Sequence, residues 1–474
     1  MPRSLFLAEV LAALSHALDL TEGQPEGHSI RSCILGIEIG RARGLDFSEQ
    51  SALFYALLLK DAGCSANAAP VADLFGSDDH PVKKDLKTTD WSSMIGAGRY
   101  ILRNVAQGRS GWAKLRHLSR LAVAGPPGAR ALTRIRCERG AAIVRDLGFP
   151  EATAEAIRYL DEHWDGKGHP YGRRAEEIPL LSRIACLAQV LDVFLVERGV
   201  DEMLAMVRAR RGTWFDPGLA DLVLSWSGRI SWWEGVRGSG RPEDLRGLEP
   251  RERLIPIDEE GLDRVSAVFA QVIDAKTPFT ARHSTRVAAV AAELMREVGG
   301  GEEAVRLIHR AGLLHDIGKL GVSNRILDKP DKLTDEEFAQ VKLHPRYTHE
   351  ILSNVAAFAD VLEPAANHHE RIDGRGYPRG LDGGVLDLPC RILAVADVYE
   401  ALTAERPYRA SLEFEEVARI LRSMSGPALD GDLVECLLRC ARHQDVAPWG
   451  WAALARTEGL PQDAVPRAPR AMAG

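Results

Sequence analysis

Seven side chains of metal-binding type follow one another through the second half of the chain: His283, His315, Asp316, His344, His368, His369 and Asp397. A mixed nitrogen and carboxylate set of this size exceeds what one tetrahedral zinc takes, and it suffices for two cations sharing Asp316 as a bridge. Two cations about 3.5 to 4 Å apart suit phosphoester hydrolysis, because they acidify water and neutralise charge on the phosphoryl oxygens. Lys319 follows His315 by one helical turn, so it would face the same place and stabilise an in-line transition state or assist the leaving oxygen.

The first half replays this order with most of the ligands replaced. His28-Ser29-Ile30-Arg31 is followed by Asp61 at the same spacing that separates His283-Ser284-Thr285-Arg286 from Asp316. Further on, Asp165-Gly166-Lys167-Gly168-His169-Pro170 repeats Asp373-Gly374-Arg375-Gly376-Tyr377-Pro378, with an insertion placed mostly between Cys64 and Arg136. Carrying the register through puts Lys60 at the place of His315, Arg136 at His344, Leu160 and Asp161 at His368 and His369, and Gln189 at Asp397. Cations at cation sites, with only His28 and Asp61 retained, predict a first copy that holds no metal and is inactive.

Residues 262–438 resemble an HD-GYP domain of the HD phosphohydrolase superfamily, and the run from His368 to Pro378 fits the family's HHExxDGxGYP signature without a gap. The resemblance implies an all-α fold and a centre of iron or manganese ions. It also implies hydrolysis of the bacterial messenger cyclic di-GMP to pGpG and onward to GMP. The seven residues above would be the metal ligands. Arg406 and Arg409 would contact substrate phosphates together with Lys319, and Asp316 and Lys319 would carry the catalysis. Tyr377 offers a ring and a hydroxyl to a guanine or to a partner. Members with a third metal have a further carboxylate before the first histidine. Here Pro278-Phe279-Thr280-Ala281-Arg282 stands there, so two metals are expected, and Thr348 replaces a glycine common after the His344-Pro345 pair. The alternative readings are a nucleotide receptor with little turnover and a hydrolase of another nucleotide.

The elements that must position these residues read as helices. Apolar residues recur at three- and four-residue spacing over 262–272, 285–297, 302–314, 335–343, 349–361, 390–402 and 414–424, while strand-like alternation is scarce. The expected architecture is all-α, with two tandem HD-type helical domains. A degenerate, regulatory or dimerising domain covers 1–235, a linker 236–257, the intact domain 258–445 and an extension 446–474, its end disordered. A chain of 474 residues exceeds the size at which one core usually divides, and 45% hydrophobic with 27% charged residues is ordinary globular composition. The net charge of −7 excludes general nucleic-acid affinity. Seven cysteines without a CxxC pair suggest reduced thiols in a cytoplasm, with Cys436 and Cys440 as core residues. No run approaches a membrane span, and 5–18 reads as an amphipathic first helix. Arg109, Lys114, Arg116, Arg120, Arg130, Arg134, Arg136 and Arg139 form a basic stretch, read as a solvated face or a dock for an acidic partner or nucleotide. Beside the cyclic dinucleotide, the expected partners are a signalling protein at the first domain or the Gly-Tyr-Pro loop, and a second copy in a homodimer.

Overall fold

The computed structural model describes residues 6–89, 94–107, 110–249, 255–278, 282–404 and 411–442. Among them the secondary structure is helical, with isolated bridges in place of strands. They form two compact units, one comprising Met1–Leu262 with Leu320–Lys332, the other Asp263–Lys319 with Leu333–Gly474.

In the second unit, helix His283–Glu297 buries Val287, Ala288, Val290, Ala291 and Leu294, the face its spacing dictates. The chain turns at Gly299, where φ is +87°, and returns as helix Glu302–Leu314. The two helices close to backbone contact: a Cβ on Gly312 would meet the Cα of Ala288 at 2.5 Å. This hairpin brings the start of the first helix beside the end of the second, so His283 and His315 become neighbours. Helix Leu388–Thr403, capped by Asp387, packs across helix His283–Glu297 and supplies Asp397.

The helix expected over 349–361 is instead two, His344–Leu352 and Ala359–Ala366. Pro345 starts the first of them early, as proline prefers a first turn. Burial of Val355 (3% exposed) and Phe358 (0%) breaks the pattern between them, with Val355 held extended. Helix Asp335–Val341 begins at the capping box of Thr334 and Glu337 and ends shorter than the spacing suggests. Helix Phe414–Met424 follows Glu413 at its N-cap, with no side-chain cap.

In the first unit, helix Leu180–Arg198 is buried nearly all round and packs on helix His28–Arg43. The stretch expected as a linker is tied to that core. Arg41 donates to the Gly247 and Leu248 carbonyls at 3.2 and 2.9 Å, Tyr55 donates to Glu249 at 2.5 Å, and Leu7 N donates to Ile255 O at 2.8 Å. Its Pro and Gly residues therefore mark tight turns on a surface. Residues 320–332, inside the expected second domain, also group with the first unit, where Asp79 accepts from the Asn324 amide at 3.1 Å. Arg109 lies outside the described residues, while from Lys114 to Arg139 the basic stretch lies on helix Gly111–Asp146, which kinks at Gly125 ahead of Pro126 and Pro127. Arg136 turns inward from it, while Arg120 pairs with Asp73 at 2.5 Å. Among the described residues no helix is long and apolar enough to cross a membrane. Cys436 is buried, as expected of a core residue, and Cys440 is half-buried.

Candidate metal centre

Asp316 directly follows helix Glu302–Leu314 and His315, and it is 1% exposed. Its two carboxylate oxygens face two different groups of histidines. Oδ2 lies 3.4 Å from His283 Nε2 and 3.3 Å from His315 Nε2. Oδ1 lies 3.4 Å from His344 Nε2 and 3.8 Å from His368 Nε2. Asp397 closes the first group, 3.3 Å from His283 Nε2, and His369 joins the second, with ligand atoms of His344, His368 and His369 within 4.8 Å of one another. All seven residues singled out by spacing thus converge on one buried centre, arranged as two nests sharing one carboxylate.

Hydrogen bonding fixes which ring nitrogen points inward. Nδ1 of His315, His344 and His368 each contacts a backbone carbonyl at 2.7 Å, of Gly312, Val341 and Ala365 respectively. A carbonyl only accepts, so each Nδ1 carries the proton and each Nε2 presents a lone pair to the centre. His344 Nε2 and His368 Nε2 then face each other at 3.3 Å as two acceptors. Burial first, with nearby positive charge, drives the His344 pKa down to about 3 and that of His368 well below its usual value, so protonation does not relieve this pair. Burial likewise holds His369 at about 3. His315 Nε2 and Asp316 Oδ1 are buried without a hydrogen bond. Converging lone pairs, a buried carboxylate oxygen and an absence of thiolates are what two divalent cations of borderline or hard character would satisfy, and the residues fit that pair.

His283 is held differently. Its Nδ1 lies 2.5 Å from Glu400 Oε2, which is in turn clamped by Arg286 Nε at 2.6 Å. Burial opposes the charged ring, but Glu400, Asp316 and Asp397 together raise its pKa well above the usual value. Asp316 and Asp397 are correspondingly held well below the usual carboxylate range, against burial, by His315 and Lys319 for the former and chiefly His283 for the latter. Lys319 sits in the 3-10 turn Ile317–Gly321 with Nζ 2.5 Å from Asp316 Oδ2.

Several supporting residues carry no signal in the ligand spacing. Glu400 lies three residues after Asp397, and its counterpart, Asp192, lies three after Gln189. The acid kept at that offset in both halves is the signal that could have found it. Thr348, standing where a glycine is common, does more than fill that place. Its hydroxyl donates to the His315 carbonyl at 2.9 Å and accepts from the Gly318 amide at 3.1 Å, tying the turn to helix His344–Leu352. Gly318 is required there, since a Cβ would collide with the His344 carbonyl oxygen. Glu370 gathers the signature loop by accepting from the amides of Arg379, Gly380 and Leu381 at 2.7, 3.1 and 2.9 Å. The Tyr377 ring lies 4.8 Å from the His369 ring at 33°. Arg406 and Arg409 lie outside the described residues.

The first unit holds a cluster of the same plan with another charge content. His28 Nδ1 lies 2.5 Å from Asp192, and Arg31 Nε clamps that carboxylate at 2.5 Å, matching His283, Glu400 and Arg286. Ser29 bonds Asp19 through N and Oγ at 3.0 and 2.7 Å, as Ser284 bonds Asp274 at 3.1 and 2.7 Å. At the centre, Lys60 pairs with Asp61, while Arg136 pairs with Asp161 and lies 3.6 Å from Glu22. Glu22, Asp61 and Cys64 offer ligand atoms within 4.8 Å of one another. Here two buried cations, Lys60 and Arg136, stand among the carboxylates where the second unit has histidines.

An all-helical fold carrying a buried two-nest histidine and aspartate centre is the arrangement expected of an HD-type domain. The model of the HD domain family matches residues 127–219 and 267–433. The 3'3'-cGAMP-specific phosphodiesterase 3 of Vibrio cholerae serotype O1 is 41% identical over 433 residues, which is 91% of this chain and 94% of that protein. The cyclic di-GMP phosphodiesterase response regulator RpfG of Xanthomonas campestris is 36% identical over 200 residues, 41% of this chain and 53% of its own. The crystal structure of a cyclic GMP-AMP specific phosphodiesterase of V. cholerae superposes with a TM-score of 0.62 at 34% identity, covering 98% of this chain and 100% of that one. The chain belongs to the HD domain family, as an HD-GYP member.

Proposed function

We propose that this protein is a metal-dependent phosphodiesterase of cyclic dinucleotides, with 3'3'-cGAMP as its preferred substrate. The observation that carries the reaction class is the division of Asp316 between two histidine nests. His283, His315 and Asp397 would hold one cation, and His344, His368 and His369 the other, with Asp316 common to both. Iron or manganese suits this nitrogen and oxygen set. Bound there, such ions supply Lewis-acid polarisation of the phosphoryl oxygens and make water more acidic. Lys319 places an ammonium beside Asp316, where it opposes the negative charge that builds as water adds to phosphorus and the ribose oxygen leaves. Tyr377 receives a base, and Arg406 and Arg409 contact phosphate. Cleavage of one phosphodiester by one water gives a linear dinucleotide.

The preference for 3'3'-cGAMP is supported by likeness to a relative of that specificity over nearly the whole of both chains. Cyclic di-GMP is the second reading, supported by relatives named for it, such as RpfG, that share 41% of this chain or less. The first half is proposed to be a metal-free regulatory or dimerising copy, a reading supported by the ion pairs of Lys60 and Arg136. The two substrates are separated by comparing kcat/KM for each on the iron- or manganese-loaded protein. A ratio of ten or more for 3'3'-cGAMP supports the first reading, and the inverse ratio the second.

A further inference from the structure

Lys342 stands at the rim of the metal centre, two residues before His344 and just past helix Asp335–Val341. Its ammonium lies 4.7 Å from the Phe338 ring centroid and 5.4 Å from that of Tyr377. Tyr377 in turn lies against the ring of His369. Lys342 is exposed and Phe338 is 42% exposed, so the group opens outward. No carboxylate pairs with Lys342 among the described residues, whereas Lys319 is engaged with Asp316. Two aromatic faces hold the lysine by cation–π attraction and leave its N–H donors for an anion.

From this arrangement we infer that Phe338, Lys342 and Tyr377 form a second subsite for the cyclic dinucleotide, in which Lys342 takes the phosphate that is not being cleaved. This rests on the proposed function. A cyclic dinucleotide carries two phosphates and two purines. The metal centre accounts for one phosphate, and the other needs cations outside that centre, a role that Lys342 shares with Arg406 and Arg409. Phe338, 42% exposed, can offer its outer face to a purine, because stacking on aromatic side chains tolerates any base. Lys342 is therefore a binding residue and Phe338 a platform, and neither touches the reacting phosphorus.

The test compares native protein with Lys342→Met, Lys342→Arg and Phe338→Leu, all manganese-loaded. The substrates are 3'3'-cGAMP, cyclic di-GMP and bis(p-nitrophenyl) phosphate, a small diester with a single phosphate. For Lys342→Met the expected result is a KM for the better cyclic dinucleotide raised roughly tenfold, the scale of one charge-assisted contact, with a much smaller change in kcat. The small diester should be affected far less, and Lys342→Arg should recover most of the loss. An unchanged KM, or parallel losses on the large and small substrates, would overturn the subsite. If native protein cleaves the small diester but neither cyclic dinucleotide, the functional reading falls and the subsite with it.

Discussion

His283 differs from His315, His344 and His368 in being held by a carboxylate, Glu400, rather than by a carbonyl. A carboxylate behind an imidazole increases its basicity and fixes its orientation, and His283 together with Arg286 keeps Glu400 ionised against burial. Glu400→Gln preserves shape but removes that charge, so manganese affinity, read by competition with a fluorescent chelator, should weaken by about 10- to 100-fold. An affinity unchanged in Glu400→Gln would mean that the acid only fills space. The same logic inverts in the first half, where Lys60 supplies the charge that neutralises Asp61. Lys60→Met should destabilise the first unit by about 3–5 kcal/mol, since it strands a buried carboxylate. Calorimetry with and without chelator would show whether that loss is independent of metal, as expected.

The elements work by bringing chain ends together. The hairpin of helices His283–Glu297 and Glu302–Leu314 aligns two ligands, and the turn Asp316–Gly318 is pressed on the start of helix His344–Leu352 through Gly318 and Thr348. Gly318→Ala pushes a methyl group into the His344 carbonyl oxygen, which should displace both ligands. Activity should fall by at least two orders of magnitude while far-ultraviolet circular dichroism changes little, a loss in line with misplacing reacting groups by about 1 Å. Much of this was legible in the sequence. The seven ligands and the signature loop announce themselves by type and order, and helices 302–314 and 390–402 by periodicity. The helix break at Val355 to Phe358 was not legible, because those residues continue the apolar pattern and only their burial reveals the turn. Nor was the tying of Gly247, Leu248, Glu249 and Ile255 to the core of the first unit, since Gly and Pro mark a surface turn and a free linker alike.

Across the whole molecule, one plan of buried charge is used with two solutions, converging histidines and carboxylates in one unit and lysine and arginine paired with carboxylates in the other. The buried acid bonded to the serine after each first histidine has a pH consequence. Asp19 is raised to about 7, mainly by burial and against the pull of Lys60 and its bonds to Ser29. The folded state then binds a proton more readily than the unfolded state, whose aspartate titrates near 3.9, so stability falls as pH rises through that interval and levels off above about 7. Asp19→Asn should flatten this fall in urea unfolding measured between pH 4.5 and 8. An unaltered slope would place the pH dependence elsewhere. The central claim is that the second unit hydrolyses a cyclic dinucleotide at its paired histidine nests. It is tested most directly by incubating anaerobic, manganese- or iron-loaded protein with 3'3'-cGAMP and following the linear dinucleotide by chromatography, beside Asp316→Ala. Turnover by the native protein that vanishes in Asp316→Ala is the predicted result. Metal-loaded native protein without turnover of 3'3'-cGAMP or cyclic di-GMP, or turnover that survives in Asp316→Ala, would contradict it.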